Sequence, residues 1–306
     1  MSLVKKYAPF FFRGMGMGAA DVVPGVSGGT IAFITGIYED LINSLKSIDI
    51  EAAKILFTKG PLAFWKQING AFLFSVFAGI AVSVLSLVRI IHYLLDNHPI
   101  LIWSFFFGLI VASAIMVGLK VNNKNLISLL FLLAGGLIAW FITASTPGET
   151  PEALWFVFFS GALAICAMIL PGISGSFILL LMRKYEFITG AIKDLDLVVI
   201  VVFLAGCGIG LISFAKFLGY LFQRFHDATI ALMTGFMIGS LPVVWPWKKV
   251  IEYRIDSHGE SVPFRYESIS PSSFEGESQL GMAILMALVG FVLIVVVERL
   301  GKTKEA

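Results

Sequence analysis

Five stretches of this chain, at about 70–95, 99–118, 124–144, 196–222 and 279–300, stay apolar over most of their length. A helix needs roughly 20 such residues to cross the hydrocarbon of a bilayer. A sixth stretch, about 227–247, ends in Trp245-Pro246-Trp247 followed by Lys248 and Lys249, an interfacial aromatic belt with a basic flank. Composition agrees. Hydrophobic residues make up 58% of the 306 and charged residues 14%, with a mean hydropathy of +0.91. A soluble domain is about 45–50% apolar and about 25% charged. One core cannot bury so much apolar surface, which excludes a soluble enzyme, a nucleic-acid binder and a disordered scaffold. The apolar runs are continuous rather than alternating, which argues against a β-barrel. The sequence predicts an all-α polytopic membrane protein.

Two further apolar regions do not read as simple spans. Residues 9–46 carry PGVSGGT at 24–30, and residues 151–190 carry PGISGSF at 171–177. Proline and glycine at the centre of an apolar stretch break a helix there. Each arm beside the break is about 12 residues, or about 18 Å, which reaches the midplane and stops. Each region is therefore a broken span or a re-entrant helical hairpin. Broken backbone at that depth survives only inside protein or beside a polar cavity. Residues 49–66 suit one amphipathic interfacial helix, with Ile50, Leu56, Phe57 and Trp65 set against Glu51, Lys54, Lys59 and Lys66. Residues 249–278 form the one long polar loop, and their alternation around Gly259 predicts a small β-hairpin.

The two broken regions belong to a longer repeat. At an offset of 147, Pro24-Gly25-Val26-Ser27-Gly28 matches Pro171-Gly172-Ile173-Ser174-Gly175, and Tyr38-Glu39 matches Tyr185-Glu186. At an offset of 127, Ala78-Gly79 matches Ala205-Gly206, Arg89 matches Lys216 and Tyr93 matches Tyr220. The first repeat covers 1–146 and the second 147–306. If both broken regions are re-entrant, three spans separate them, and an odd number turns the second copy upside down. The expected fold is two inverted repeats, each a re-entrant helical hairpin followed by three transmembrane helices, as in secondary transporters. With both termini in the cytoplasm, the inner side takes fourteen Lys and Arg and the outer side eight, the bias expected of a membrane protein.

A helix starting at about Ser27 or Ser174 leaves backbone N–H groups unpaired at its positive end. Gly25, Gly28, Gly29, Gly172 and Gly175 let a ligand approach the backbone, and Ser27, Thr30, Ser174 and Ser176 offer hydroxyls. Together these make a candidate anion site that suits phosphate. The alternative is a pair of kinks packed closely through glycine. Arg89 and Lys216 are cations at matched positions within apolar spans, suited to guiding a phosphate or to snorkelling to an interface. Asp21 has no counterpart, since its partner in the repeat is Met168. A deep acid beside an anion must be protonated or paired, so Asp21 is a candidate for coupling to H+ or Na+. The alternative is a cap on the second arm of the hairpin. Glu39 and Glu186 fit gating or a plain interfacial position. His92, His98, His226 and His258 form no cluster and are assigned to loops or helix ends.

Several other chemistries find no support. Cys166 and Cys207 have no metal-ligand spacing and read as apolar packers. Gly14-x-Gly16-x-Gly18 has no strand before it, so it is no dinucleotide fingerprint. The same glycines and Arg13 break the apolar N-terminal stretch, so a signal peptide is not expected. No P-loop, zincin or nucleophile elbow is present. No catalytic residue, metal or cofactor is expected.

The stretch Gly18-Ala19-Ala20-Asp21-Val22-Val23-Pro24-Gly25-Val26-Ser27-Gly28-Gly29-Thr30 resembles the first signature of the bacterial polyprenyl-phosphate translocases of the PopT type. Ile169-Leu170-Pro171-Gly172-Ile173-Ser174-Gly175-Ser176-Phe177 resembles the second. The resemblance covers roughly 10–300 and leaves 249–278 unmatched. It implies a bacterial cytoplasmic-membrane protein whose partners are membrane lipid and undecaprenyl phosphate, with no nucleic acid. It further implies that the protein returns this lipid carrier of cell-wall synthesis from the outer to the cytoplasmic leaflet. Two rivals remain. A secondary transporter of a small soluble anion fits the anion site equally well. A membrane polyprenyl-pyrophosphatase resembles the Pro-Gly-x-Ser turn, but its motif carries an arginine after the serine and a glutamate cluster. Here Gly28 and Gly175 follow the serines.

Overall fold

A computed structural model describes residues 3–22, 26–145, 150–151, 153–255 and 261–302. The order is α1 (Leu3–Asp21), α2 (Gly28–Ile34), α3 (Tyr38–Lys46), α4 (Ile50–Lys59), α5 (Pro61–Gln67), α6 (Gly70–Asn97), α7 (Pro99–Gly118) and α8 (Leu126–Ala144). It continues with α9 (Leu154–Ile169), α10 (Gly175–Leu181), α11 (Tyr185–Lys193), α12 (Leu197–Arg224), α13 (His226–Gly239), β1 (Lys248–Ile255), β2 (Ser261–Ser268) and α14 (Leu280–Lys302). Among the described residues, six helices are long and apolar enough to cross a membrane: α6, α7, α8, α12, α13 with the 3-10 turn after it, and α14. These are the six stretches expected from hydropathy. The polar loop folds as the antiparallel pair β1–β2, irregular near Glu252. Its predicted turn around Gly259 lies outside the described residues. Lys248 ties the pair to α7. Its Nζ sits 3.5 Å from the centre of the Trp103 ring and donates to the Val243 carbonyl at 2.5 Å. Burial pushes this ammonium down to about 7.

Local structure departs from expectation in two places. Residues 49–66 are two helices rather than one, because Gly60 takes φ 83° and Pro61 lacks the N–H that would continue α4. The arms of the broken segments are also not simple. The first arms are longer than about 12 residues, with 19 in α1 and 16 in α9, since nothing before the Pro-Gly turn stops them. Each returning arm is divided into a 7-residue and a 9-residue helix. The divisions fall at Gly36 (φ 76°) and Arg183 (φ 51°), which are matched positions at the offset of 147.

Matched elements agree in length. Helices α2 and α10 have 7 residues, α3 and α11 have 9, and α6 and α12 have 28. Helices α6 and α12 end on residues of nearly identical backbone, His98 (φ −136°, ψ 49°) and Phe225 (φ −136°, ψ 47°). Packing partners correspond too: α1 lies on α6 as α9 lies on α12, and α7 on α14 as α13 on α8. Glycine sets the spacing of these pairs. A Cβ at Gly14 would overlap the Val76 carbonyl, and one at Gly18 would stand 2.6 Å from the Ile80 carbonyl oxygen. Four residues along α1 thus advance four along α6, so the two helices run in the same direction. Gly206 meets Phe158 and Gly210 meets Ala162, an advance of four residues on each helix. Helices α9 and α12 are likewise parallel.

Candidate functional site

The described part of the first Pro-Gly motif, at the start of α2, meets the second motif in space. Ser27 takes an extended backbone (φ −122°, ψ 133°) and caps α2, its Oγ accepting from Gly29 N at 3.1 Å. The same hydroxyl donates across the molecule to the Met168 carbonyl at 2.8 Å. One turn further, Thr30 Oγ1 accepts from Gly172 N at 3.1 Å. Gly29 presses on the Ile169 carbonyl so closely that a Cβ would overlap it. Gly172 needs its φ of 86° and its missing side chain, since a Cβ would stand 2.8 Å from Phe236 O and Ser240 Oγ. Ser27 and Thr30 are fully buried.

The N–H groups at the start of α2 are already occupied. Gly28 N donates to Asp21 Oδ1 at 2.7 Å, and a Cβ at Gly28 would stand 2.5 Å from Asp21 Oδ2. Asp21 thus accepts at this helix start, the capping role that its sequence position allowed. The second turn is arranged differently. Met168 stands where the acid would be, and Ser174 makes no side-chain cap. Instead its Oγ pairs with Ser176 Oγ at 2.8 Å. Gly175 is buried, with a Cβ 2.5 Å from the Ala164 carbonyl. Gly25, together with Val23 and Pro24, lies outside the described residues.

The charged candidates do not join the turns. Arg89 and Lys216 have exposed side chains on α6 and α12, and neither bonds a turn residue among the described residues. A uniformly apolar helix carries no amphipathic signal to say which way such a residue faces. Glu186 sits in the first turn of α11. Glu39 sits in the first turn of α3, and its Oε1 lies 3.3 Å from His226 Nε2 at the start of α13. The adjacent Asp227 accepts from Asn122 N (3.3 Å), Asn123 N (2.9 Å) and Asn123 Nδ2 (2.9 Å). A helix-end position for His226 was legible in the sequence, but its carboxylate partner 187 residues away was not. A crevice of about 260 Å³ runs beside this pair, lined by Glu39, Ile42, Asn43, Gly219, Phe222 and Gln223. Among the described residues, no group of three or more His, Cys, Asp or Glu is placed to hold a metal ion.

Comparison with known proteins shows the family. Residues 17–262, which include both turns, match the family model described as VCA0040-like, undecaprenyl phosphate translocase-like. A polyprenyl-phosphate transporter of Vibrio cholerae is 45% identical over 297 residues, covering 96% of each chain. A polyprenyl-phosphate transporter of Staphylococcus aureus is 33% identical over 253 residues, covering 76% of this chain and 84% of the relative. No solved structure matches the chain. Six membrane-length helices and these relatives make it a multi-pass bacterial membrane protein. Matched over most of its length, the chain belongs to the VCA0040-like, undecaprenyl phosphate translocase-like family.

Proposed function

We propose that this protein transports polyprenyl phosphate across the cytoplasmic membrane. Its cargo is undecaprenyl phosphate, moved from the outer to the cytoplasmic leaflet for reuse in cell-wall synthesis. The observation that carries this reading is the contact of the start of α2 with the second Pro-Gly motif through Ser27–Met168 and Thr30–Gly172. Two broken segments meeting at one point is how inverted-repeat transporters build a substrate site. The matched element lengths and the parallel pairs α1/α6 and α9/α12 support re-entrant segments within inverted repeats. A segment that enters and leaves by one face returns the chain to that face, so the next span runs parallel to its first arm. The charge bias favours both termini in the cytoplasm.

In this reading the phosphate head is held where the turns meet. The hydroxyls of Ser174 and Ser176 and the backbone at Gly172 and Gly175 serve it from one side. Ser27, Gly28, Gly29 and Thr30 serve it from the other, once Asp21 gives up its bond to Gly28. The prenyl chain stays in lipid. An ionised Asp21 beside a phosphate is repulsive, so its neutralisation by H+ or Na+ would couple an ion gradient to transport. Arg89 and Lys216, facing outward, have no part in holding the head. Glu39 and Glu186 belong to the bases of the broken segments.

The test is purified protein in liposomes loaded with undecaprenyl phosphate. Leaflet exposure is followed with an impermeant phosphate-binding probe, and free phosphate is measured in the same sample. Exchange between leaflets without phosphate release is expected. Phosphate released from a polyprenyl pyrophosphate under the same conditions would replace the transporter with a pyrophosphatase. No exchange under imposed proton and sodium gradients would shift the reading to a small soluble anion.

A further inference from the structure

The two halves match in sequence and element length but not in burial. All seven residues of α2 are buried, whereas in α10 only Gly175 is. In α3 the buried residues are Tyr38, Leu41, Ile42, Ser44 and Leu45, whereas in α11 only Ile188 is. Tyr38 is 2% exposed, and its counterpart Tyr185 is 38% exposed.

The difference has a structural source. The end of α12 covers the base of the first broken segment. Tyr38 and Phe222 have ring centroids 5.8 Å apart, and Phe33 stacks on both rings at 4.9 and 6.3 Å. Lys46 lies over Gly219, where a Cβ would stand 2.9 Å from its Cδ, and Glu39 reaches His226. Helix α2 also packs on α7. The symmetric contacts would be α11 on the end of α6 and α10 on α13. Neither is made to a comparable extent among the described residues. The residue matching Phe222 is Leu95, which is half-buried, and the residue matching His226 is Pro99, which is exposed. One sequence motif therefore sits in two packing states within one molecule. Two copies of the same element pair, one closed and one open, are what a bistable device looks like when caught in one of its states.

We propose that the contact of α3 with α12, built from Tyr38, Phe222, Glu39 and His226, is a closed gate. Its symmetric counterpart, Tyr185 and α11 against the end of α6 at Leu95, is a second gate that closes when the first opens. The inference rests on the transporter reading above and adds which surfaces move. Closing the second gate would bury α10 and α11 as α2 and α3 are buried now. The turns would then be reached from the face where α3 leaves the membrane rather than the face where α11 does.

The experiment uses the full chain with Cys166→Ser and Cys207→Ser, reconstituted with and without undecaprenyl phosphate. Tyr38→Cys with Phe222→Cys reports the first gate, and Tyr185→Cys with Leu95→Cys reports the second, using a short cleavable thiol crosslinker. Glu39→Cys with Gln223→Cys reads the first gate without disturbing its aromatic cluster. The first gate should crosslink readily without lipid. The second should crosslink weakly at first and rise severalfold when the lipid is supplied. Locking either gate should lower transport by about tenfold or more, with recovery on reduction. Where the parent moves the lipid, second-gate crosslinking that stays at background or transport through a locked first gate would overturn the inference; both gates locked in one molecule would overturn it whatever the cargo. A cysteine-free parent that moves no lipid would count against the lipid reading alone, because mutual exclusion of the two crosslinks is measured without it.

Discussion

At the scale of single residues, the matched serines of the two turns do different work. Ser27 caps α2 and bridges to the Met168 carbonyl, while among the described residues the Ser174 hydroxyl pairs with that of Ser176. Removing a cap typically costs about 1 kcal/mol, and an unsatisfied buried partner adds about 1–3 kcal/mol. Ser27→Ala should therefore destabilise the protein by about 2 kcal/mol or more, and Ser174→Ala by less than about 1 kcal/mol. Unfolding of the purified variants in detergent measures both. Equal losses would show that the bridge between the turns contributes nothing. The serines and glycines of the turns were legible in the sequence because hydroxyl, glycine and proline have local consequences for backbone. That Asp21 closes the start of α2 was legible only as one of two options. The bond joins residues seven apart across the break, and local sequence does not set their relative placement.

At the scale of elements, the returning arms show where a hydropathy reading stops. Read by hydropathy alone each returning arm is one piece, although Gly36 and the charged pair Arg183-Lys184 stand where it divides into two helices. The divisions fall on Gly36 and Arg183, both in the left-handed region. Glycine takes that conformation freely, whereas a side chain costs about 1–2 kcal/mol. Nothing lies within 4 Å of a Cβ at Gly36, so the cost there is conformational rather than steric. Arg183 is exposed, so little packing is lost with its side chain. Arg183→Gly should raise stability by about 1 kcal/mol, and Gly36→Ala should lower it by a similar amount. A shift in apparent Tm in the opposite sense for either variant would mean that the second arm is not divided in this way. The division of 49–66 at Gly60-Pro61 was legible in principle, since Gly-Pro is a strong local breaker.

At the scale of the whole molecule, the arrangement of faces is decided by whether the broken segments return. If they do, Lys5 and Lys54 share one face of the membrane, and Lys193 and Lys249 share the other. All four side chains are exposed. Each can be replaced by cysteine in a background lacking Cys166 and Cys207. In intact cells an impermeant maleimide should label positions 193 and 249, reaching 5 and 54 only after the membrane is opened. Labelling of 5 and 54 from opposite faces would mean that the first segment crosses completely. The parallel packing of α1 with α6, set by Gly14 and Gly18, argues for return.

The sequence by itself determined the class of this protein and its six spans, and it carries the two Pro-Gly motifs within a repeated order of residues. Each of these follows from local properties: the length of an apolar run, the chemistry of proline and glycine, and a repeated order of residues. Only the tertiary structure decided that the turns touch through Ser27, Thr30, Met168 and Gly172. It also turned Arg89 and Lys216 outward, brought Glu39 to His226, and packed one of two matching segments tightly while leaving the other open. The physical reason is that a membrane helix is apolar on every side. Its sequence fixes that it spans, while its rotation and its neighbours are chosen by close packing between residues far apart in the chain.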